Sequence, residues 1–256
     1  MEVIVKENVE EMSKLGAEIV AEVLNGKKSP VLGLATGSTP VKMYKELIRM
    51  NKEGKMDFSN VRSFNLDEYV GVEESHSQSY HYFMWENLFK HINIKKENTN
   101  VPNGIAEDIP EACKLYEEKI IKCGGVDIQV LGIGSNGHIA FNEPGSSSSS
   151  RTRIIALDER TIDDNARFFA KKEDVPRYAV SMGIGTILEA KKIILLANGK
   201  NKAEAVAKSV EGPITAMVPA SFLQMHQDTI FILDQEASSL LKRKYSTERF
   251  KYIPKK

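Results

Sequence analysis

Apolar positions along the chain follow two periods. Short, nearly continuous apolar runs rich in β-branched residues recur as "VIV" (3–5), "PVLGLA" (30–35), "VRSFN" (61–65), "VDIQVLGI" (126–133), "RYAVSM" (177–182), "KIILLA" (192–197) and "TIFIL" (229–233). Between them, "VEEMSKLGAEIVAEVL" (9–24) and "IPEACKLYEEKIIKC" (109–123) place apolar residues at three- and four-residue spacing, the signature of an amphipathic helix. Strands with hardly a polar face are those covered on both sides, as in a parallel sheet. The alternation predicts an α/β fold with a doubly wound, mostly parallel open sheet and helices on both faces, Rossmann-like in plan.

No linker, repeat or charge block divides the 256 residues, so the expectation is a single domain over 1–256. The polar, weakly patterned segment around 158–176 is expected to be a mobile cover rather than core. Thirty-five basic and 35 acidic residues cancel, so no global field favours nucleic acid or an anionic membrane. Cys113 and Cys123 lie ten residues apart in no metal or redox motif, and read as thiols of a reducing compartment. The first residues lack a signal-peptide core, and no apolar run approaches the roughly 20 residues that span a bilayer. A cytoplasmic location is the expectation. "GSSSSS" (145–150) suits a polar surface loop, with hydroxyl donation to a ligand as the alternative.

Ligands of open parallel sheets sit beyond the carboxyl ends of the strands, and four of those ends carry chemistry. "GIGSNGHIAFNEPG" (132–145) begins as G-x-G-x-x-G, but a dinucleotide fingerprint must open a helix. "HIAFNEPGSSSSS" has no helical period, so no nicotinamide cofactor is expected. What remains is a tight loop presenting Asn136, His138, Asn142 and Glu143. An imidazole moves protons near pH 7, and a neighbouring carboxylate orients it; a loop histidine satisfied by carbonyls is the bland alternative. In "LATGSTPVKMYKELI" (34–48), a strand runs into Thr36, Gly37, Ser38 and Thr39, and Pro40 opens a helix. With Ser38 or Thr39 as its cap, free N–H groups, hydroxyls and the positive dipole end together make an anion site. "FNLDEYVG" (64–71) ends a strand in Asp67 and Glu68, which point in different directions on an extended backbone; one suits a general base, the other a structural role. "LANGKNK" (196–202) puts Lys200 and Lys202 at a helix start, where cations suggest an anion to offset them. His76 and His81 are off the H-E-x-x-H spacing, and the aromatic run Tyr80, Tyr82, Phe83, Trp85 and Phe89 reads as helix packing. No metal is expected, since no three-ligand cluster stands out.

Together, "LGLATGSTP", "FNLDEYVG", "LGIGSNGHIAFNEPG", "SRTR" and "NARFF" resemble the signature segments of the glucosamine-6-phosphate deaminases, in order and spacing from about residue 30 to about 235. The 6-phosphogluconolactonases are the relatives to exclude. They show D-G-H without the following F-N-E-P, and D-E-R where this chain has Asp67, Glu68 and Tyr69. A non-catalytic sugar-phosphate sensor would be expected to lose the carboxylates kept here. The resemblance implies conversion of D-glucosamine 6-phosphate and water to D-fructose 6-phosphate and ammonia. It implies ring opening by His138, assisted by Glu143 and by the position of Asn136, and enolisation at C2 by Asp67. It places the phosphate on Thr36, Gly37, Ser38 and Thr39, with Arg167 and Lys202 as cationic partners. It calls for no cofactor, metal or organic. The partner is a small sugar phosphate, and a homo-oligomer is compatible with the family's hexameric members. Some members have Asp where this chain has Asn136; an amide carries no charge, so ionic support for an imidazolium falls to Glu143. Some hexameric members are activated by N-acetylglucosamine 6-phosphate through a basic residue two positions after the second arginine of "SRTR" and a tyrosine near the chain end. Here Ile155 holds the basic position, and neither Tyr245 nor Tyr252 matches the tyrosine clearly.

Overall fold

The computed structural model describes residues 1–166, 169, 171 and 174–250. Its centre is a seven-stranded sheet in the order β1 (Glu2–Lys6), β10 (Thr229–Asp234), β9 (Ile193–Ala197), β6 (Ile128–Leu131), β2 (Val31–Leu34), β3 (Arg62–Asn65) and β5 (Thr99–Asn100). Every neighbouring pair runs parallel, and β2, β6, β9 and β10 are buried throughout. That is the doubly wound plan the apolar runs predict.

Two cores follow from covering both faces. On one side lie α1 (Val9–Asn25), α2 (Val41–Lys52) and α3 (Tyr80–Asn87), burying Met12, Val20, Met43, Leu47 and Met84 against β2, β6 and β10. On the other lie α4 (Ile109–Lys122), α6 (Ile184–Leu188) and α7 (Ala203–Glu211), burying Ile120, Ile187 and Val206. Each fully buried aliphatic side chain contributes about 1.5–3 kcal/mol of transfer free energy. α1 starts where Asn8 accepts from the Glu11 amide, and α4 where Asp108 accepts from the Glu111 amide with Pro110 in the first turn.

The chain runs outward from β2 to β3 and β5, then returns to place β6 on the other side of β2. The strand order therefore reverses between β2 and β6, and a crevice opens at their carboxyl ends. A second, antiparallel sheet hangs there: β4 (Asp67–Tyr69), β8 (Tyr178–Ser181) and β7 (Arg153–Ala156). The run at 177–182 is thus a strand of this small sheet rather than of the main one. The polar cover expected around 158–176 contributes α5 (Glu159–Ala166), and Ile162 and Val175 are buried with Tyr69, Phe141, Leu157 and Ala179. That part of the segment is core, because the small sheet has an apolar face of its own to cover. Arg167 lies outside the described residues. No helix among the described residues is long and apolar enough to cross a membrane.

Candidate active site

At the carboxyl ends of β2, β3, β6 and β9 lies a cleft of about 630 Å³. It is lined by Thr36, Gly37, Ser38 and Thr39 after β2, by Asp67 after β3, by Gly134, Ser135 and His138 after β6, and by Asn198, Asn201 and Lys202 after β9. Four separate strand ends singled out for their chemistry meet in one place.

The loop at residues 36–39 differs from expectation in one detail. No side chain caps α2; Pro40 itself is already helical at φ −76°, and the Thr39 hydroxyl donates to Asn198 Oδ1 at 3.1 Å. Gly37 turns the chain at φ +90°, a conformation L side chains rarely adopt. The first amides of α2 therefore face the cleft without a competing side-chain acceptor.

Asp67 and Glu68 divide as their alternating directions require. Asp67 is buried in the cleft wall, and burial, then the neighbouring Glu68 carboxylate, push its carboxyl up to about 8 against a hydrogen bond from Thr36. Glu68 points the other way, into the start of α3. It accepts from the amides of Tyr69 (2.8 Å), Tyr80 (2.9 Å) and His81 (3.1 Å), and meets His81 Nδ1 at 3.0 Å. It is an acidic group at the positive end of a helix, fixed by backbone donors.

The loop at 132–145 is built on reversals of the chain. Gly134 N–H donates to the His138 carbonyl, Gly137 sits at φ +89°, and Ala140 at φ +50°. A Cβ on Gly134 would collide with the imidazole of His138, so the glycine is what lets the ring lie against the backbone. His138 Nδ1 is buried, 3.3 Å from Glu143 Oε1: within reach of the charge, but without the alignment of a hydrogen bond. Asn136 Nδ2 donates to Glu143 Oε2 at 2.7 Å, and its Oδ1 accepts from the His138 amide at 3.2 Å. Asn136 and Glu143 stand behind the imidazole and do not line the cleft. Asn142 is structural. Its amide donates to the carbonyls of Ile139 and Met182, and its oxygen accepts from Arg153. The small sheet ties the two chemical loops together. Asp67 pairs with Ser181, whose hydroxyl accepts from the Phe141 amide, and the Met182 amide donates to the Leu66 carbonyl.

The serine run serves the chain. Ser146 Oγ donates to the Glu143 carbonyl, and Ser150 Oγ accepts from the Ile184 amide. None of these serines lines the cleft. Sequence reading missed Tyr69 and Tyr80. Tyr80 stacks on Phe141 at 15°, and its hydroxyl meets those of Thr36 and Tyr69. Burial pushes Tyr69 up to about 12 and raises Tyr80 well above its ordinary value, so both stay protonated. The missed signal was Tyr80 itself, submerged in an aromatic run that otherwise packs the helix. Asn198 and Asn201 were also missed, hidden beside the lysines of the same segment. Among the described residues, no three His, Cys, Asp or Glu gather as metal ligands.

A family model described as glucosamine-6-phosphate isomerases/6-phosphogluconolactonase matches residues 5–232. A glucosamine-6-phosphate deaminase of Thermoanaerobacter sp. (strain X514) is 58% identical over 94% of this chain and 95% of its own length. This chain belongs to the glucosamine-6-phosphate deaminase family. A deaminase of Clostridium perfringens (strain 13 / Type A) is 55% identical over 94% of the chain and all of its own. Among solved structures, a monomeric glucosamine-6-phosphate deaminase superposes with a TM-score of 0.92 at 45% identity, covering 94% of this chain and 100% of that one. The 6-phosphogluconolactonase of Trypanosoma brucei shares the fold at a TM-score of 0.73 and 20% identity, over 93% of this chain and 97% of that one. The family's fold is thus shared by both branches, and identity over nearly the whole chain puts this protein in the deaminase branch.

Proposed function

We infer that this protein is a glucosamine-6-phosphate deaminase, turning D-glucosamine 6-phosphate and water into D-fructose 6-phosphate and ammonia. The observation that carries the reading is the placement of Asp67 and His138 in one cleft with the loop of residues 36–39. A sugar phosphate anchored on that loop has its reacting carbons between two groups able to move protons.

The phosphate takes the loop of Thr36, Gly37, Ser38 and Thr39 through its amides and the Ser38 hydroxyl, supported by the dipole of α2, with Lys202 as a cation in the cleft wall. Arg167 is proposed as its second cationic partner from the family pattern alone. His138 takes the proton of the O1 hydroxyl and passes it to the ring oxygen as that oxygen leaves C1, which opens the pyranose. Glu143, held by Asn136, steadies the imidazolium through Nδ1 and leaves Nε2 for the transfer. Asp67, ionised, then removes the C2 proton. The electron pair moves into the C1–C2 bond and on to the aldehyde oxygen, which takes a proton from water to give an enolamine. Return of that proton to C1 gives the C2 iminium, and water addition expels ammonia. A base near pH 8 on the helix-and-sheet wall suits this removal, since efficiency is greatest when the working pKa lies near the operating pH.

The chain is read as one domain, with the segment at 158–176 as a cover over the cleft, anchored where Ile162 and Val175 are buried. Phe169, within it, lines the cleft and packs edge-on against Tyr69 at 5.9 Å. Free Cys113 and Cys123 support a reducing, cytoplasmic setting, and zero net charge supports a small-molecule partner rather than nucleic acid. Ammonia release tests the whole reading. Purified protein should release ammonia from glucosamine 6-phosphate, keep doing so after exhaustive chelation, and leave 6-phosphogluconolactone hydrolysis at background. Lactone hydrolysis without ammonia release would reject it.

A further inference from the structure

Glu68 sits beside the proposed base but belongs to another set of contacts. Its carboxylate, 1% exposed, is closed in by three backbone amides and by the imidazole of His81. The imidazole has a second contact: Nε2 lies 3.4 Å from Glu74 Oε1. Glu74 is exposed, and its carbonyl is held by the Ser79 hydroxyl, the same hydroxyl that caps α3. A row Glu68–His81–Glu74 therefore runs from the cleft wall to the surface. In its doubly protonated form the ring donates to both carboxylates. Among the described residues, the ionisable groups recorded against that ring are Glu68 from β4 and Glu74 from the loop before α3. Asp67 is one residue beyond. The row also fixes Tyr80, whose amide donates to Glu68 and whose hydroxyl meets Thr36.

We propose that His81 is a positioning residue for Asp67: its imidazole closes the solvent side of the Glu68 cage with a donor and locks α3 to the strand that carries the base. The proposal rests on the reading of Asp67 as the enolisation base. Without the ring, the Glu68 charge acts on Asp67 less opposed. Asp67 then holds its proton to higher pH, and the acid limb of kcat/KM moves upward. The phosphate loop lies after a different strand, so affinity for inorganic phosphate as a competitive inhibitor stays within twofold.

The test compares wild type, His81→Phe, which keeps ring volume without donors, and His81→Asn, which keeps a donor near the place of Nδ1. In His81→Phe the acid limb is expected to move up by about 0.5–1 pH unit, so kcat/KM at pH 7 falls about 3–10-fold; His81→Asn restores most of it. A limb that stays at the wild-type pH in His81→Phe overturns the proposal, as does a loss explained by a lower folded fraction with an unchanged profile. Should His81→Phe fail to fold, Glu74→Gln at its exposed position must move the limb the same way, by a smaller step, or the proposal fails. Wild-type protein that releases no ammonia from glucosamine 6-phosphate would instead sink the functional reading, so the two failures are distinct.

Discussion

Asp67 and Glu68 show how far adjacent identical charges can diverge. One residue of extended backbone sends Asp67 into the cleft and Glu68 into the N-terminus of α3, and their surroundings then set different chemistry. The sequence suggested this division, but could not say which carboxylate was the structural one without the resemblance to deaminases. Asp67→Asn is expected to abolish ammonia release and C2 exchange with solvent deuterium while substrate still binds; wild-type exchange rates in the variant would end the assignment. A stability effect follows from the same burial. A carboxyl raised to about 8 in the folded protein, against about 3.9 unfolded, contributes stability that is full below pH 4 and lost as pH rises through 8. Asp67→Asn should therefore raise Tm by several degrees at pH 8.5 and by much less at pH 5, a gain at the site of lost function. His138→Gln should slow ring opening more than enolisation: turnover of cyclic substrate falls by about 10²–10⁴, while an open-chain analogue is affected less. Equal effects on both would make His138 structural.

At the scale of elements, three of the four loops that meet in the cleft are legible because β2, β6 and β9 are buried and nearly all apolar, and such runs declare themselves; β3 is mostly polar and is marked instead by the carboxylates that follow it. What escaped is short or borrowed. β4, β5 and β7 have three, two and four residues, too few to display a period, and β4 takes its shape from pairing with β8. The uncapped start of α2 escaped because Ser38 and Thr39 are good caps by type, yet Thr39 finds a better-placed acceptor in Asn198 across the cleft. Tyr80 escaped because aromatic residues at helical spacing usually pack. The glycines of residues 132–137 suggested a tight loop, and the structure gives one of them a specific duty. A methyl group on Gly134 would strike the imidazole of His138, so Gly134→Ala should displace the ring from Glu143. We expect kcat to fall at least tenfold with Tm within about 3 °C of wild type, because the collision is with a side chain at the rim of the cleft rather than with the core. A variant with wild-type kcat would show that the ring does not work from this position.

For the whole molecule, the question is whether a second site governs the first. The family's regulated members place a basic residue at the position of Ile155, and the structure shows what an isoleucine does there. β7 presents Ile155 to the apolar cluster of Tyr69, Phe141 and Ile162, so the position adds packing beneath the small sheet instead of a cation. An ion-assisted hydrogen bond to a phosphate, worth about 1.5–3 kcal/mol, has no donor at this residue. The two arginines nearby are already engaged. Arg151 pairs with Glu117 and Glu189 at 2.6 Å each, and Arg153 donates to Asn142. Among its described residues, the tail does not bring a charge to this position from within the chain. Its described part runs beside β1, where the Val5 amide donates to the Ser246 carbonyl, and Tyr245 gives its hydroxyl to Glu211. β1 is the outermost strand on the side of the sheet away from β3, while the small sheet springs from the end of β3; Tyr252 lies outside the described residues. A solved relative at 45% identity is a monomeric glucosamine-6-phosphate deaminase. We therefore expect hyperbolic kinetics in glucosamine 6-phosphate and less than a twofold response to N-acetylglucosamine 6-phosphate. Rate curves with and without that compound, taken at several protein concentrations, decide the matter. Sigmoidal curves that it renders hyperbolic would mean that a neighbouring subunit supplies the charge Ile155 lacks, and that the packing role of Ile155 coexists with a regulatory site.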